Sequence, residues 1–261
     1  MAYELQYVDE YTLSDDGFVS HSWEESGDRL IAITYTGEPY FTLLRWDGTN
    51  LSEEATFTLP DRGRSVHTWE ESGDRLIAVT HWGTHHFTLL RWNGSELTEE
   101  DTYTLDGMSF GVHTWEDTNG DRLIAVGGSL FPGFILLRWN GSELTEEDNY
   151  AMPGTVYSIH TWEDTNGDRL IAAGHIGEPY FTLLKWNGTA LTVEDTYTLA
   201  RTGYGVHTWE ESGDRLIAVG HGDSPFFTLL KWTNLLLPPT LSLAQVENFI
   251  RVTIEEGEEP V

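Results

Sequence analysis

The stretch VHTWEESGDRLIAVTH, Val66 to His81, is written five times in this chain with small changes. Its histidine falls at His21, His67, His113, His160 and His207, so the unit recurs every 46 or 47 residues. A period of this length belongs to architectures in which each unit buries a face against the next. Within a unit, four strand-like pieces alternate with turn signals. In the second unit they are SVHTWE, RLIAVTH, FTLLRW and LTEEDTYTL, separated by ESGD, WGTHH and NG. Short connections throughout make each unit an antiparallel meander. Such a sheet cannot bury both of its faces alone, so the five must stack around an axis.

The two ends of the chain agree with a ring. The fifth unit keeps its third piece, FFTLLKW ending at Trp232, and then loses the pattern. The missing fourth piece sits at the other terminus, where LQYVDEYTL (Leu5–Leu13) resembles LTVEDTYTL (Leu191–Leu199). An N-terminal strand completing the last blade removes free sheet edges. The predicted fold is therefore all-β: a five-bladed β-propeller of four-stranded antiparallel blades over 1–232, closed by that strand. Residues 233–261 form a C-terminal arm outside the repeat, with Leu235, Leu236, Leu237, Phe249, Ile250 and Val252 as its apolar assembly contacts.

Composition excludes several classes. The formal net charge of −29 repels phosphate, which argues against nucleic acid and anionic lipid as partners. No apolar run approaches 18 residues, so no membrane insertion is expected. There is no cysteine, hence no disulfide framework and no thiolate metal site. The opening MAYELQYVDEYTL lacks the basic and apolar regions of a signal peptide.

The residues from Gly203 to Trp232, GYGVHTWEESGDRLIAVGHGDSPFFTLLKW, resemble a WD-repeat propeller blade. They present an inner strand, a Gly/Asp turn, a Leu-Ile-Ala strand, a short loop and a strand ending in Trp. The style is most similar to degenerate WD-like repeats of bacteriophage and prophage structural proteins. Only Trp46–Asp47 keeps the Trp-Asp ending, and the Gly-His before the inner strand is missing, so the WD hydrogen-bonded tetrad is not carried over. The resemblance implies a non-enzymatic assembly module at a virion surface, a capsid decoration or tail appendage, whose partners are other virion proteins. The alternative is a lectin-like propeller, secreted or at a cell surface, with glycan sites between blades.

Comparing the units with one another separates frame from variation. The turn after the first piece, RLIA, the Leu-Leu-Arg/Lys-Trp segment and the Asn-Gly turn barely change. Trp23, Trp69, Trp115, Trp162 and Trp209, with Trp46, Trp92, Trp139, Trp186 and Trp232, read as packing between blades. In the Asp-Arg pairs that follow the turn glycine, Asp is expected to satisfy turn amides while Arg reaches an acidic neighbour. Ten of the 14 basic residues belong to this frame.

Drift concentrates in the loops between the second and third pieces and in the connections between units, predicted to emerge on one face of the disc. Both free loop variation and a contact face for a partner or glycan fit that pattern. The candidate contact residues there are Trp82, His85, His86, Phe110, Phe131, Tyr157 and Tyr204, with Arg62, Arg64 and Arg201.

Specific chemistry finds less support. The recurrent histidines could line the channel, although a pentagon of imidazoles is not a standard metal geometry. DTNGD occurs twice, and Asp117, Asn119 and Asp121, like Asp164, Asn166 and Asp168, have the oxygen spacing of a small calcium loop. Sibling units carry the shorter ESGD in the same place, which favours an ordinary turn and no metal. Asn50, Asn93, Asn140 and Asn187 begin Asn-x-Ser/Thr sequons and read as turn residues. No nucleophile elbow, Walker loop, His-Glu-x-x-His or dinucleotide motif occurs, and no unique polar set stands out at the channel mouth. The expectation is no catalytic residue, no cofactor and no enzyme.

Overall fold

The computed structural model describes Glu4 and residues 6–233, and among these every regular element is a strand. Blade 1 comprises β1 (Gly17–Glu25), β2 (Asp28–Tyr35), β3 (Tyr40–Trp46) and β4 (Leu51–Thr58). Blade 2 comprises β5 (Gly63–Glu71), β6 (Asp74–His81), β7 (His86–Trp92) and β8 (Leu97–Thr104). Blade 3 runs through β9 (Ser109–Glu116), β10 (Arg122–Gly128), β11 (Gly133–Trp139) and β12 (Leu144–Ala151). Blade 4 runs through β13 (Val156–Glu163), β14 (Arg169–His175), β15 (Tyr180–Trp186) and β16 (Leu191–Thr198). Blade 5 has three strands, β17 (Gly203–Glu211), β18 (Asp214–His221) and β19 (Phe227–Trp232). Spatial order follows chain order in every sheet, and all pairings are antiparallel. Successive inner strands β1, β5, β9, β13 and β17 are neighbours, so the five blades fan around an axis that these strands line. The arm residues Leu235, Leu236, Leu237, Phe249, Ile250 and Val252 lie outside the described residues.

Local sequence explains the hairpins. In the three ESGD units the two turn residues both take positive φ, for example Ser26 at 56° and Gly27 at 93°. This is the type I′ geometry that matches strand twist, and glycine adopts it without steric cost. In the two DTNGD units the turn is longer. Asp117 Oδ1 accepts the N–H groups of Asn119 (2.8 Å) and Asp121 (3.0 Å), and Asp164 does the same for Asn166 and Asp168. The Asn-Gly turns are closed by Asn93, Asn140 and Asn187, whose side-chain oxygens accept two backbone N–H groups each.

Four apolar layers fill the gaps between blades 1 and 2, 2 and 3, 3 and 4, and 4 and 5. Each layer ends in the same polar stack. Arg75 lies over Trp23, Arg122 over Trp69, Arg169 over Trp115 and Arg215 over Trp162, at 5.1–5.5 Å from guanidinium to ring centroid. The indole N–H groups of Trp23 and Trp92 both donate to Glu25 (3.1 Å each), and those of Trp69 and Trp139 to Glu71 (3.3 and 3.0 Å).

The role expected for the Asp of each Asp-Arg pair is corrected. The I′ turns pair their own backbones, Glu25 with Asp28 and Glu71 with Asp74, and leave the Asp side chain free. It accepts instead from the base before the third-strand Trp: Asp28 from Arg45 (3.0 Å) and Asp74 from Arg91 (3.1 Å). Glu54 and Glu100 on the outer strands hold the same arginines from the other side.

Between blade 5 and blade 1 no fifth apolar layer forms among the described residues. The N-terminal segment nevertheless docks on blade 1 as an outer strand docks on its neighbour. Asp9 accepts the Leu51 N–H (2.7 Å), and the Tyr11 hydroxyl donates to Glu53. In the same way Asp101 accepts the Leu144 N–H (2.8 Å) and Tyr103 donates to Glu146 (2.7 Å). Among the described residues no fourth strand pairs with β19, where Phe227 and Leu229 stay about half exposed; Leu5 of the predicted strand lies outside the described residues.

The shared carboxylate between blades yields a stability test. Glu25→Ala leaves the indole N–H groups of Trp23 and Trp92 without their acceptor, at an expected cost of about 1–3 kcal/mol. Urea unfolding measures this, and Glu24→Ala on the exposed side of the same strand is expected to change stability by less than about 0.5 kcal/mol.

Candidate functional site

Each inner strand begins with a register slip against its partner. Gly17 pairs with Tyr35 and Val19 with Thr34, which leaves Phe18 bulged out of the ladder. The same slip leaves Arg64 between Gly63 and Ser65, Tyr157 between Val156 and Ser158, and Tyr204 between Gly203 and Gly205. In β9 it spans Phe110. A bulge turns one side chain away from the alternation of its strand. The five residues so turned, each three positions before the repeated histidine, gather at the channel mouth.

They form a collar. Ring centroids are 5.1 Å apart for Phe110 and Tyr157, and 5.4 Å for Tyr157 and Tyr204. The Arg64 guanidinium stands 3.9 Å over the Phe18 ring and 5.3 Å over that of Phe110, in the place where a fifth aromatic would complete the series. Trp82 flanks it, 4.9 Å from Arg64, 5.3 Å from Arg62 and 5.9 Å from Phe110. Among the described residues Arg64 has no carboxylate partner, and burial lowers its pKa while Tyr157 partly offsets the shift. Burial, then Tyr204, raises the pKa of Tyr157.

Below the collar is a cavity of about 700 Å³. Its walls are the small residues Ser20, Ser65, Gly111, Ser158 and Gly205, and its floor is the repeated histidines. These imidazoles lie side by side at 4.3–4.8 Å between centroids, from His21 to His207. His21, His67, His113 and His160 each share an Nδ1–Oγ1 hydrogen bond with the threonine of the next blade, Thr68, Thr114, Thr161 and Thr208, at 2.9–3.1 Å. Burial, reinforced by neighbouring imidazoles, pushes His67 down to about 3; burial and His207 push His160 down to about 4. Burial thus favours the neutral form of His21, His67, His113 and His160, which can both donate and accept.

Other predicted residues lie elsewhere. His85 ends the loop after β6 and His86 begins β7; His85 bonds Thr104 (2.7 Å) and the His86 carbonyl accepts from Ser109. Phe131 projects from the loop after β10 beside Leu130, and Arg201 faces Asp223 at 3.8 Å. The loops do share one face, as predicted, because backbone bonds such as Trp82 N–H to Arg62 and Gly222 N–H to Thr202 tie them together. The collar does not stand out as a set in the sequence, where Phe18 lies ahead of the first histidine without a loop pattern of its own and Arg64 is one loop charge among three. Counting back three residues from each histidine finds it.

In the suggested calcium loops, Asp117 and Asp121 both meet Arg138, at 2.6 and 2.8 Å, and Asp168 meets Lys185. A cation already occupies that corner. Asn119 and Asn166 serve the turns. His81, His175 and His221 are buried in the blades, each bonded to a threonine on the next strand, Thr88, Thr182 and Thr228, at 2.9–3.0 Å. Tyr35 takes this role with Thr42, and the third unit replaces both partners together, with Gly128 and Ile135.

No known family's sequence pattern matches the chain, and no curated protein matches it in sequence. Solved structures do. The GH32 β-fructofuranosidase BmSUC1 of Bombyx mori superimposes with a TM-score of 0.51 at 10% identity, over 78% of this chain and 54% of that one. A mutant of it in complex with sucrose gives 0.52 with the same identity and coverage. The exo-β-1,3-galactanase 1,3Gal43A of Clostridium thermocellum gives 0.50 at 9% identity, over 83% and 59%. The fold is a propeller of the kind these glycoside hydrolases use. This chain spans a little over half the length of those enzymes. The expectation of a non-enzymatic virion assembly module is corrected by these matches, which are to carbohydrate-processing enzymes and include neither a virion component nor a WD-repeat protein among those named.

The neutral histidines make stability depend on pH. Their folded pKa values lie below the ordinary 6.5, so the unfolded chain takes up protons first as pH falls. Thermal stability is expected to drop as pH is lowered from about 6.5 toward 4, with a shallower slope in His67→Gln. Melting curves across that range check both.

Proposed function

We propose that the protein is carbohydrate-processing and that its sugar seats in the channel mouth. The collar carries this reading: the rings of Phe110, Tyr157 and Tyr204 line a 700 Å³ cavity beside the guanidinium of Arg64, which has no carboxylate partner among the described residues. Aromatic faces stack on the C–H faces of sugar rings, and a guanidinium edge offers several donors to hydroxyls or a carboxylate. The imidazoles of His21, His67, His113 and His160, held neutral by burial, supply donors and acceptors. The similar folds of a β-fructofuranosidase and an exo-β-1,3-galactanase support a saccharide as the ligand class.

Hydrolysis through two carboxylates requires a pair about 5–9.5 Å apart. No Asp or Glu is among the described residues lining the cavity. The side chains that would touch a sugar are imidazole, phenol, hydroxyl and guanidinium.

The reading includes closure of the ring, with residues 5–13 as the fourth strand of blade 5. The docking of Asp9 and Tyr11 on blade 1 and the half-exposed edge of β19 support it. By the register of β7 on β8, Glu10 would oppose Thr228. In a chain with no native cysteine, the double variant Glu10→Cys/Thr228→Cys is expected to form an internal disulfide, read as a reducible gel shift. A free dithiol under oxidising conditions would refute the closure.

Titration with fructo-, xylo- and β-1,3-galacto-oligosaccharides, followed by calorimetry and by chromatography of any products, tests the site. Binding of at least one series is expected, weakened about tenfold or more by Arg64→Ala and by Tyr157→Ala. No binding and no turnover, or binding indifferent to both substitutions, would overturn the proposal.

A further inference from the structure

The boundaries between blades carry a second kind of site, on the opposite face of the disc from the collar and independent of it. At two boundaries a glutamate of the chain itself fills a cleft. Glu25 accepts from the indole N–H groups of Trp23 and Trp92, and Glu71 from those of Trp69 and Trp139. Each carboxylate lies beside the glycine of the neighbouring Asn/Asp-Gly turn series: a methyl group placed on Gly94 or Gly141 would come within 3.9 Å of it.

At the boundary of blades 3 and 4 this occupant is missing. The unit carries DTNGD instead of ESGD, and the shorter Asp117 is drawn into the turn by two backbone N–H groups and onto Arg138 at 2.6 Å. What remains is a cleft of about 140 Å³ whose lining includes Trp115, Trp186, Arg169 and Gly188, with the carboxylates of Glu116, Asp117 and Glu163 also on its walls, each of them engaged by an arginine, Arg122, Arg138 and Arg169. A methyl group on Gly188 would meet nothing within 4 Å. Among the described residues neither indole N–H, of Trp115 or Trp186, has an acceptor, in contrast to those of Trp69 and Trp139. Arg169 Nε is buried without a partner, as is Arg122 Nε at the filled boundary, so the indoles and not the guanidinium distinguish this cleft. The guanidiniums at the filled boundaries each feel two carboxylates, Arg75 those of Glu70 and Glu25, Arg122 those of Glu116 and Glu71. Arg169 feels only Glu163.

We infer that the cleft between blades 3 and 4 is a binding site for a carboxylate, supplied by a small ligand in place of the glutamate that the sibling boundaries build in. The ligand's oxygens would accept from the Trp115 and Trp186 indoles with Arg169 beside them, as Glu71 does with Trp69, Trp139 and Arg122. A carboxylate of this size has two sources of the same chemistry, a sugar acid or an aliphatic acid.

The indole N–H resonances of ¹⁵N-labelled full-length protein report on the site directly. Titration with galacturonate and with glutarate is expected to shift the Trp115 and Trp186 signals, and neutral galactose to leave them in place. The stronger of the two acids identifies the source. Trp115→Phe keeps the ring and removes one donor, and is expected to weaken binding about tenfold. Replacing Asp117–Asp121 by the sibling Glu-Ser-Gly-Asp fills the cleft from within and should abolish the shifts. Signals unmoved by either acid, moved equally by galactose, or still moved to the same extent in both variants would overturn the inference.

Discussion

At the four boundaries from blade 1 to blade 5, each blade is held to the next by a tryptophan capped by its neighbour's arginine. A four-stranded sheet with two apolar faces has no stable existence alone, and the rest of the architecture depends on this joint. The tryptophan supplies the area that the layer buries. The arginine covers its outer face, where a guanidinium can stack while its edge stays paired with Glu70, Glu116, Glu163 or Glu210. Most of the chain's positive charge is committed to such joints and to the Arg45-type clamps. A molecule of net charge −29 therefore packs its few cations where they bridge carboxylates.

The collar at the channel mouth arises from a departure from regularity at one position. Without the slip at the start of the inner strands, the residue three before each histidine would follow the alternation of its strand. The slip sends it over the channel instead. The walls beneath must stay narrow, which accounts for Ser20, Ser65, Gly111, Ser158 and Gly205.

Much of this could be read before any coordinates. The period, the four pieces per unit and the tryptophan frame are visible because five copies average out local ambiguity. The histidines stand on the inner strands as their place in the repeat required. The destiny of Asp28 and Asp74 was hidden because it depends on which residue of the adjacent strand lies within reach. His85, His86 and Phe131 looked equivalent to Phe110 since both loop sets share a face. Only the bulge separates those that reach the axis from those that do not. The virion reading failed for a different reason: the style of a repeat reports how blades pack, and packing is common to propellers of unrelated activity.

The five collar positions also bear on how a ligand could lie in the channel. Were all five aromatic, a bound ring could settle in five almost indistinguishable orientations, a degeneracy of about 1 kcal/mol. Arg64 is the one member that differs, with a directional charge where the others offer flat rings. It gives the cavity a compass point. On the proposed reading, a ligand in the cavity would turn one edge toward blade 2 and its opposite edge toward Tyr157 and Tyr204.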